Sequence, residues 1–274
     1  MEIGAVENHR FRESGSLVYP VYSRRSRGLS VGLNLFPDRK ICSFDCPYCE
    51  VFPFRSKNNF SHETFEIELR QVLDQAKKQK DEVRDLCFSG NGEPANSPHF
   101  AAALNSAARL RDGIVPAADI VVITNGTGLL NDDVFDLLKN SAAPPVSLKI
   151  WLKLDAGTPS WYQAMNRSAV SFEKLIAKIR DFSRCAPFTI QTMVCAAEGK
   201  APSHEEKKAW EDLVLDLAGG HNITNIHLYG KARPAPEDPL TEALPVSFLE
   251  ERAASLRSRL ADIPGISVPV EVFP

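Results

Sequence analysis

Strand-like and helix-like segments alternate in single file along this chain, which predicts an α/β fold with a parallel sheet wrapped by helices. Two further observations point the same way. Short apolar runs such as Asp119-Ile-Val-Val-Ile-Thr124 suit strands buried on both faces. The connections are short, with no linker, composition break or internal repeat. Residues 1–274 therefore read as one domain, with an arginine-rich arm over 1–28, the sheet and helices over 29–262 and a C-terminal extension over 263–274.

A chain of 274 residues can bury a sizeable core. Its 43% apolar and 24% charged residues have the balance of a soluble globular protein. A net charge of −3 argues against a globally basic nucleic-acid binder and leaves room only for a local basic patch. No apolar run approaches the ~20 residues of a membrane span. The first residues, Met1 to Arg10, lack the apolar core of a secretory leader. A cytoplasmic protein is expected, in which six cysteines serve as metal ligands and buried thiols rather than disulfides.

The arm carries Arg10, Arg12, Arg24, Arg25 and Arg27, which suit either a solvated surface or contact with phosphate. Ser30-Val-Gly-Leu-Asn-Leu-Phe36, bounded by Gly28 and Pro37, is the first expected strand. Phe52, Phe54 and Phe60 follow a cysteine-rich loop and are expected to pack around it. Ser61 to Lys80 opens with a capping pattern and continues with Phe65, Leu69, Val72, Leu73 and Ala76 at helical spacing. Asp85–Ser89 is a short strand, 98–111 a helix, Asp119–Thr124 a strand, and 132–140 a helix. The alternation continues through strands at Val146–Asp155, Phe188–Cys195 and Asn225–Tyr229. Helices fall at Ser171–Arg184, His204–Ala218 and Val246–Ala261, and the prolines of Ile266–Phe273 suggest an edge strand. Six strands thus alternate with helices.

In such folds ligands gather at the carboxyl ends of the strands, where this chain concentrates polar residues and glycines. The first strand leads into Cys42, Cys46 and Cys49, in the spacing C-x3-C-x2-C. Three thiolates so close in sequence can converge on an iron–sulfur cluster or zinc. A structural zinc site needs a fourth ligand, and the nearest candidates are His62 and Cys87. A cube held by three cysteines leaves one iron open to a small molecule. Further along, Gly90-Asn-Gly-Glu-Pro94 offers glycines that admit close backbone approach and a carboxylate, Glu93. Asn125 in Thr124-Asn-Gly126 also suits an ordinary turn. Lys153 and Asp155 end an apolar strand and need partners or solvent. Gln191 reads equally as a satisfied core residue, and His227 as a structural histidine. Cys87, Cys185 and Cys195 read as buried thiols.

The cysteine spacing, with Tyr48 before the last cysteine, resembles the signature of the radical SAM superfamily. That resemblance implies a (β/α)6 partial TIM barrel and a 4Fe-4S cluster on Cys42, Cys46 and Cys49. It also implies S-adenosylmethionine on the open iron, cleaved reductively to a 5′-deoxyadenosyl radical that abstracts hydrogen from a substrate. Gly90, Asn91, Gly92 and Glu93 stand where the family binds the methionine amino group, although Asn91 interrupts the usual glycine pair. By the same resemblance Tyr48, Asn125, Lys153, Asp155, Gln191 and Tyr229 face the cofactor, and a flavodoxin or ferredoxin supplies the electron. No residue is singled out as the catalyst that directs the radical.

One branch, the wyosine-synthase-like iron–sulfur oxidoreductases, is similar at Ser23-Arg-Arg25, Val31-Gly-Leu-Asn-Leu35, Cys42-Ser-Phe-Asp-Cys46 and Arg233-Pro234. This favours a nucleoside in RNA, with Arg24, Arg25 and Arg27 holding phosphate near the barrel mouth. A peptide substrate or a glycyl-radical activase, suggested by Thr124-Asn125-Gly126, is the alternative. A non-catalytic iron–sulfur or zinc module is the reading from another class. Replacing Cys42, Cys46 or Cys49 by Ala should yield a colourless protein, against ~4 irons per parent chain. Full visible iron–sulfur absorption in all three variants would exclude this ligand set.

Overall fold

The computed structural model describes residues 16–51, 53–233, 235 and 241–274. Arg10, Arg12, Phe52 and Pro234 lie outside the described residues. The chain folds as two compact units. Of the described residues, the first holds 16–42, 53–124 and 140–150, and the second holds 43–51, 125–139, 151–233, 235 and 241–274. Strand order follows chain order. Among the described residues no helix is long and apolar enough to cross a membrane.

The first unit carries β1 (Val18–Ser23), β2 (Gly28–Leu33), α1 (His62–Gln79), β3 (Val83–Phe88), α2 (Phe100–Ile114) and β4 (Asp119–Thr124). β2, β3 and β4 pair in parallel, with Leu33 beside Phe88 and Phe88 beside Val122. Leu33, Leu86, Phe88, Ile120 and Val122 are fully buried, as strands covered on both faces require. α1 begins where Ser61 caps the Thr64 N–H at 3.2 Å and ends where Lys80 turns left-handed with φ 59°. It lays Phe65, Leu69 and Leu73 into the core, each stabilising the fold by about 1.5–3 kcal/mol.

Of the arm expected over 1–28, the described part, 16–28, is largely a strand and a turn. β1 pairs antiparallel with β2, and Arg24, Arg25 and Arg27 occupy the hairpin between them, Arg27 with φ 53°. Pro20 disguises β1 in the sequence, yet it is tolerated because β1 is an edge strand. The Tyr19 ring lies over Gly32, where a Cβ would meet it at 2.2 Å. The hairpin sits at the amino end of β2. At ~3.3 Å per residue, the six residues of β2 hold it roughly 20 Å from that strand's carboxyl end. The expected placement of these arginines at the mouth is therefore wrong. Arg25 instead acts electrostatically on Asp85, a carboxyl that burial pushes up and that Ser26, Ser30 and Arg25 draw back down.

The second unit carries most of β5 (Lys149–Lys153), then α3 (Asp132–Ser141), α4 (Pro159–Asn166), α5 (Phe172–Ser183), β6 (Phe188–Val194), α6 (His204–Ala218), β7 (Ile223–Gly230), α7 (Val246–Ala261) and β8 (Val270–Phe273). β5 to β8 pair in parallel. β8 completes the sheet edge, so the presumed C-terminal extension belongs to the fold. α4 was not expected, although its start is legible: Thr158 caps the Trp161 N–H and Pro159 occupies the first turn. With β1 and β8 there are eight strands among the described residues, and the α/β class stands. Ser61→Ala should destabilise the protein by roughly 0.5–2 kcal/mol in a denaturant titration; an unchanged midpoint would show that the cap contributes nothing.

Candidate functional site

In the first unit the chain leaves β2 through Asn34, Leu35 and Phe36, and Ile41 stops beside the loop that follows β3. Ile41 N–H donates to Asn91 O at 3.1 Å and Glu93 N–H donates to Ile41 O at 2.8 Å, a short parallel bridge. A Cβ on Gly92 would stand 1.9 Å from Ile41 O, so only glycine permits this approach. Gly92 admits the backbone next to Cys42. Gly90 has φ +133°, and a Cβ there would meet Asn34 Oδ1 at 2.9 Å. Asn91 is buried and donates from Nδ2 to Phe36 O at 3.1 Å, tying the glycine loop to the end of β2.

Glu93 is 2% exposed. Its Oε1 accepts from Ala95 N at 3.1 Å and from Thr124 Oγ1 at 2.6 Å, so the last residue of β4 orients the carboxylate. Sequence reasoning grouped Thr124 with Asn125, whereas its hydroxyl serves Glu93.

In the second unit the cysteine loop is gripped from several strand ends. Asn125 Oδ1 accepts from Thr127 N and Oγ1 at 2.9 and 2.7 Å, an Asx turn, and its Nδ2 donates to Ser43 Oγ at 3.0 Å. Ser43 Oγ also meets Thr127 Oγ1 at 2.5 Å, while Ser168 Oγ donates to Ser43 O at 2.9 Å. Asn166 is the last residue of α4. Its carbonyl accepts from Asp45 N at 2.9 Å, and its Nδ2 donates towards Cys46 Sγ at 3.6 Å. Sequence reasoning missed Asn166 and Ser168 because it missed α4.

Asp155 lies at the centre of this unit's polar residues. Oδ1 accepts from the Met193 N–H at 2.8 Å. Oδ2 accepts from Tyr48 Oη and from Asn166 Nδ2 at 2.9 Å, with Lys153 Nζ at 3.4 Å. Lys153 Nζ also donates to Tyr229 Oη at 2.5 Å and lies 4.8 Å from the centre of the Tyr48 ring. Tyr48, Lys153, Asp155 and Tyr229 thus meet in one network that ends on the cysteine loop. Gln191 is fully buried and pairs with His227 Nδ1 at 3.2 Å, one row along β6 and β7 with Lys153 on β5. His227 packs edge-on against Trp151 and Phe273, the structural role expected of it.

The electrostatics follow from burial. Burial alone would lower the Lys153 ammonium, but Asp155, Tyr229 and Cys46 reverse this and hold it above the usual lysine range. Burial and then Asp155 raise the Tyr48 phenol far above its ordinary value, so it stays neutral and donates. Burial pushes the Cys46 thiol up to about 12, against Lys153 and the Tyr48 and Asn166 hydrogen bonds, which lower it. Such a thiol stays protonated at neutral pH unless a Lewis acid binds the sulfur and releases the proton to solvent, and the Asn166 N–H then suits the resulting thiolate.

Cys42, Cys46 and Cys49 form no disulfide. Among the described residues no three His, Cys, Asp or Glu side chains converge as a single-ion site. A four-iron cube distributes three thiolates over three irons, which this motif fits better than a closed zinc tetrahedron. Cys87 and Cys195 are buried as expected, whereas Cys185 is exposed.

Comparison with known proteins addresses the family. Residues 39–195 match the model of the radical SAM superfamily. The chain is 32% identical over 145 residues to UPF0026 protein MJ1312 of Methanocaldococcus jannaschii, covering 50% of this chain and 42% of that one. It is 27% identical over 226 residues to UPF0026 protein slr1464 of Synechocystis, covering 79% and 76%. The chain thus spans under half of the archaeal relative. Streptococcus suis SuiB bound to S-adenosylmethionine shares the fold with a TM-score of 0.65 and 13% identity, over 89% of this chain and 50% of SuiB. Gly92→Ala should lower iron incorporation while helix content by circular dichroism stays unchanged; wild-type iron content in that variant would refute the role given to Gly92.

Proposed function

This chain belongs to the radical SAM superfamily, and we propose that it cleaves S-adenosylmethionine reductively and directs hydrogen abstraction from a nucleoside in RNA. When bound, the family's 4Fe-4S cluster and S-adenosylmethionine supply the electron transfer and the 5′-deoxyadenosyl radical. The chain supplies thiolates, orientation and exclusion of water. The observation that carries the reading is the fixing of the cysteine loop: by the Ile41–Gly92 bridge in the first unit, and by Asn125, Asp155 and Asn166 in the second.

Cys42, Cys46 and Cys49 would hold the cluster. Tyr48 and Asn166 set the approach of Cys46, and Asp155 keeps both in place. Glu93, oriented by Thr124, would accept from the cofactor's ammonium group. Lys153 and Tyr229, polar groups towards the ends of β5 and β7, are suited to its carboxylate and ribose. A flavodoxin- or ferredoxin-type donor would reduce the cluster, and the whole chain would act as one catalytic domain.

The nucleoside substrate is supported by the likeness of Cys42-Ser-Phe-Asp-Cys46 to the wyosine-synthase-like branch; the arginine hairpin, at the far end of β2, lends it none. A peptide substrate is the second reading, supported by likeness in fold to SuiB, which has been seen with its precursor peptide SuiA. Anaerobically reconstituted, reduced protein should convert S-adenosylmethionine to 5′-deoxyadenosine, faster with RNA than with peptide. No deoxyadenosine under any condition would overturn the assignment, and stimulation by peptide alone would select the second reading. Glu93→Gln should keep full iron content and weaken S-adenosylmethionine binding roughly ten- to a hundredfold, the loss of one charged hydrogen bond.

A further inference from the structure

α6 and α7 pack side by side in the second unit, and between them lies a cavity of about 430 Å³. That volume lies within the range of small-ligand sites. His204, Lys207, Lys208 and Glu211 of α6 line it at helical spacing, opposite Phe248, Glu251, Arg252, Ser255 and Arg259 of α7. Most of these charges are mutually satisfied. Arg259 bonds Glu211 at 3.0 Å and Asp212 at 2.5 Å, Lys208 bonds Asp212 at 2.7 Å, and Ser255 Oγ donates to Glu211 at 3.1 Å.

Two cations remain outside that network. Lys207 rests over the Phe248 ring at 5.2 Å and has no ion pair among the described residues. Arg252 is 5% exposed and lies over the Trp210 ring at 4.5 Å, with Nε and Nη2 buried and lacking any hydrogen-bond partner. These two nitrogens share one edge of the guanidinium, the edge that grips an oxyanion with two parallel bonds. Burial lowers the Arg252 guanidinium to about 10, with Glu206 and Glu211 opposing the fall, so it stays charged at neutral pH. The Glu206 oxygens are engaged elsewhere, accepting from Gly157 N at 2.6 Å and Thr158 Oγ1 at 2.5 Å, and Glu211 is engaged by Arg259 and Ser255. Glu251, the other lining carboxylate, is exposed, and no hydrogen bond or ion pair joins it to Arg252.

We propose that this cavity binds a phosphate group, free or on a small molecule, between Arg252 and Lys207. The site is formed by helices of the outer layer and uses none of the residues that hold the cysteine loop. A phosphate has enough acceptors for the guanidinium edge and an ammonium at once, and bidentate geometry makes Arg252 the principal contact.

The test is calorimetry and phosphorus NMR on the purified holoprotein with inorganic phosphate, ribose 5-phosphate and ribose. Saturable binding of the two phosphates and none of ribose is expected. Tighter binding of ribose 5-phosphate would identify an ester as the ligand, and tighter binding of inorganic phosphate the free ion. Arg252→Met and Lys207→Met should each weaken binding roughly tenfold or more. If Arg252→Met fails to fold, the half-exposed Lys207 carries the test. Absence of saturable phosphate binding, wild-type affinity in Lys207→Met, or an equal response to chloride at matched ionic strength would overturn the proposal.

Discussion

A carboxylate removed from water must have its lone pairs filled, and Asp155 is the residue on which that demand falls hardest here. With 4% of its surface exposed, it accepts from a backbone N–H on β6, an amide at the end of α4 and a phenol in the cysteine loop, beside the lysine that ends β5. Each donor belongs to a different segment. Satisfying one buried charge therefore sets the relative position of β5, β6, α4 and the loop that carries Cys46 and Cys49. Removing the carboxylate would leave Lys153 buried without its partner, the case in which breaking a buried pair is most damaging.

The first unit solves the same problem with backbone. No charge links Ile41 to the glycine loop, only two main-chain hydrogen bonds and the absence of a Cβ at Gly92. Backbone pairing is stiffer than a side-chain contact because no rotamer freedom remains to be lost. Glu93 follows directly on this bridge, and Thr124 fixes its carboxylate from the next strand. A rigid acid beside a rigid loop start is what a site needs if a ligand is to meet both without reorganisation.

Several residues expected to touch a cofactor also position other residues. Asn91 ties down the glycine loop, Asn125 builds a turn that holds Ser43, and Gln191 pairs with His227. Strand ends in an α/β fold gather polar residues for two reasons, to bind ligands and to hold the loops that bind ligands, and in composition the two are identical. The arginine-rich segment shows the complementary error. Its charge pattern suits phosphate, but antiparallel pairing of β1 with β2 carries it to the opposite end of the strands.

What the sequence by itself determined is local in origin. Hydrophobic periodicity and caps set α1, β4, α6 and α7 to within a residue or two, and the spacing of Cys42, Cys46 and Cys49 pointed to the superfamily. β1 escaped notice because Pro20 argues against a strand unless its edge position is known, and α4 because its cap signature was overlooked. The partnerships of the site were settled only by tertiary structure. Tyr48 and Asp155 are 107 residues apart in the chain, and Cys46 and Asn166 are 120 apart. Which donor fills which lone pair depends on where the strands place the chain after folding, and no local pattern encodes that distance.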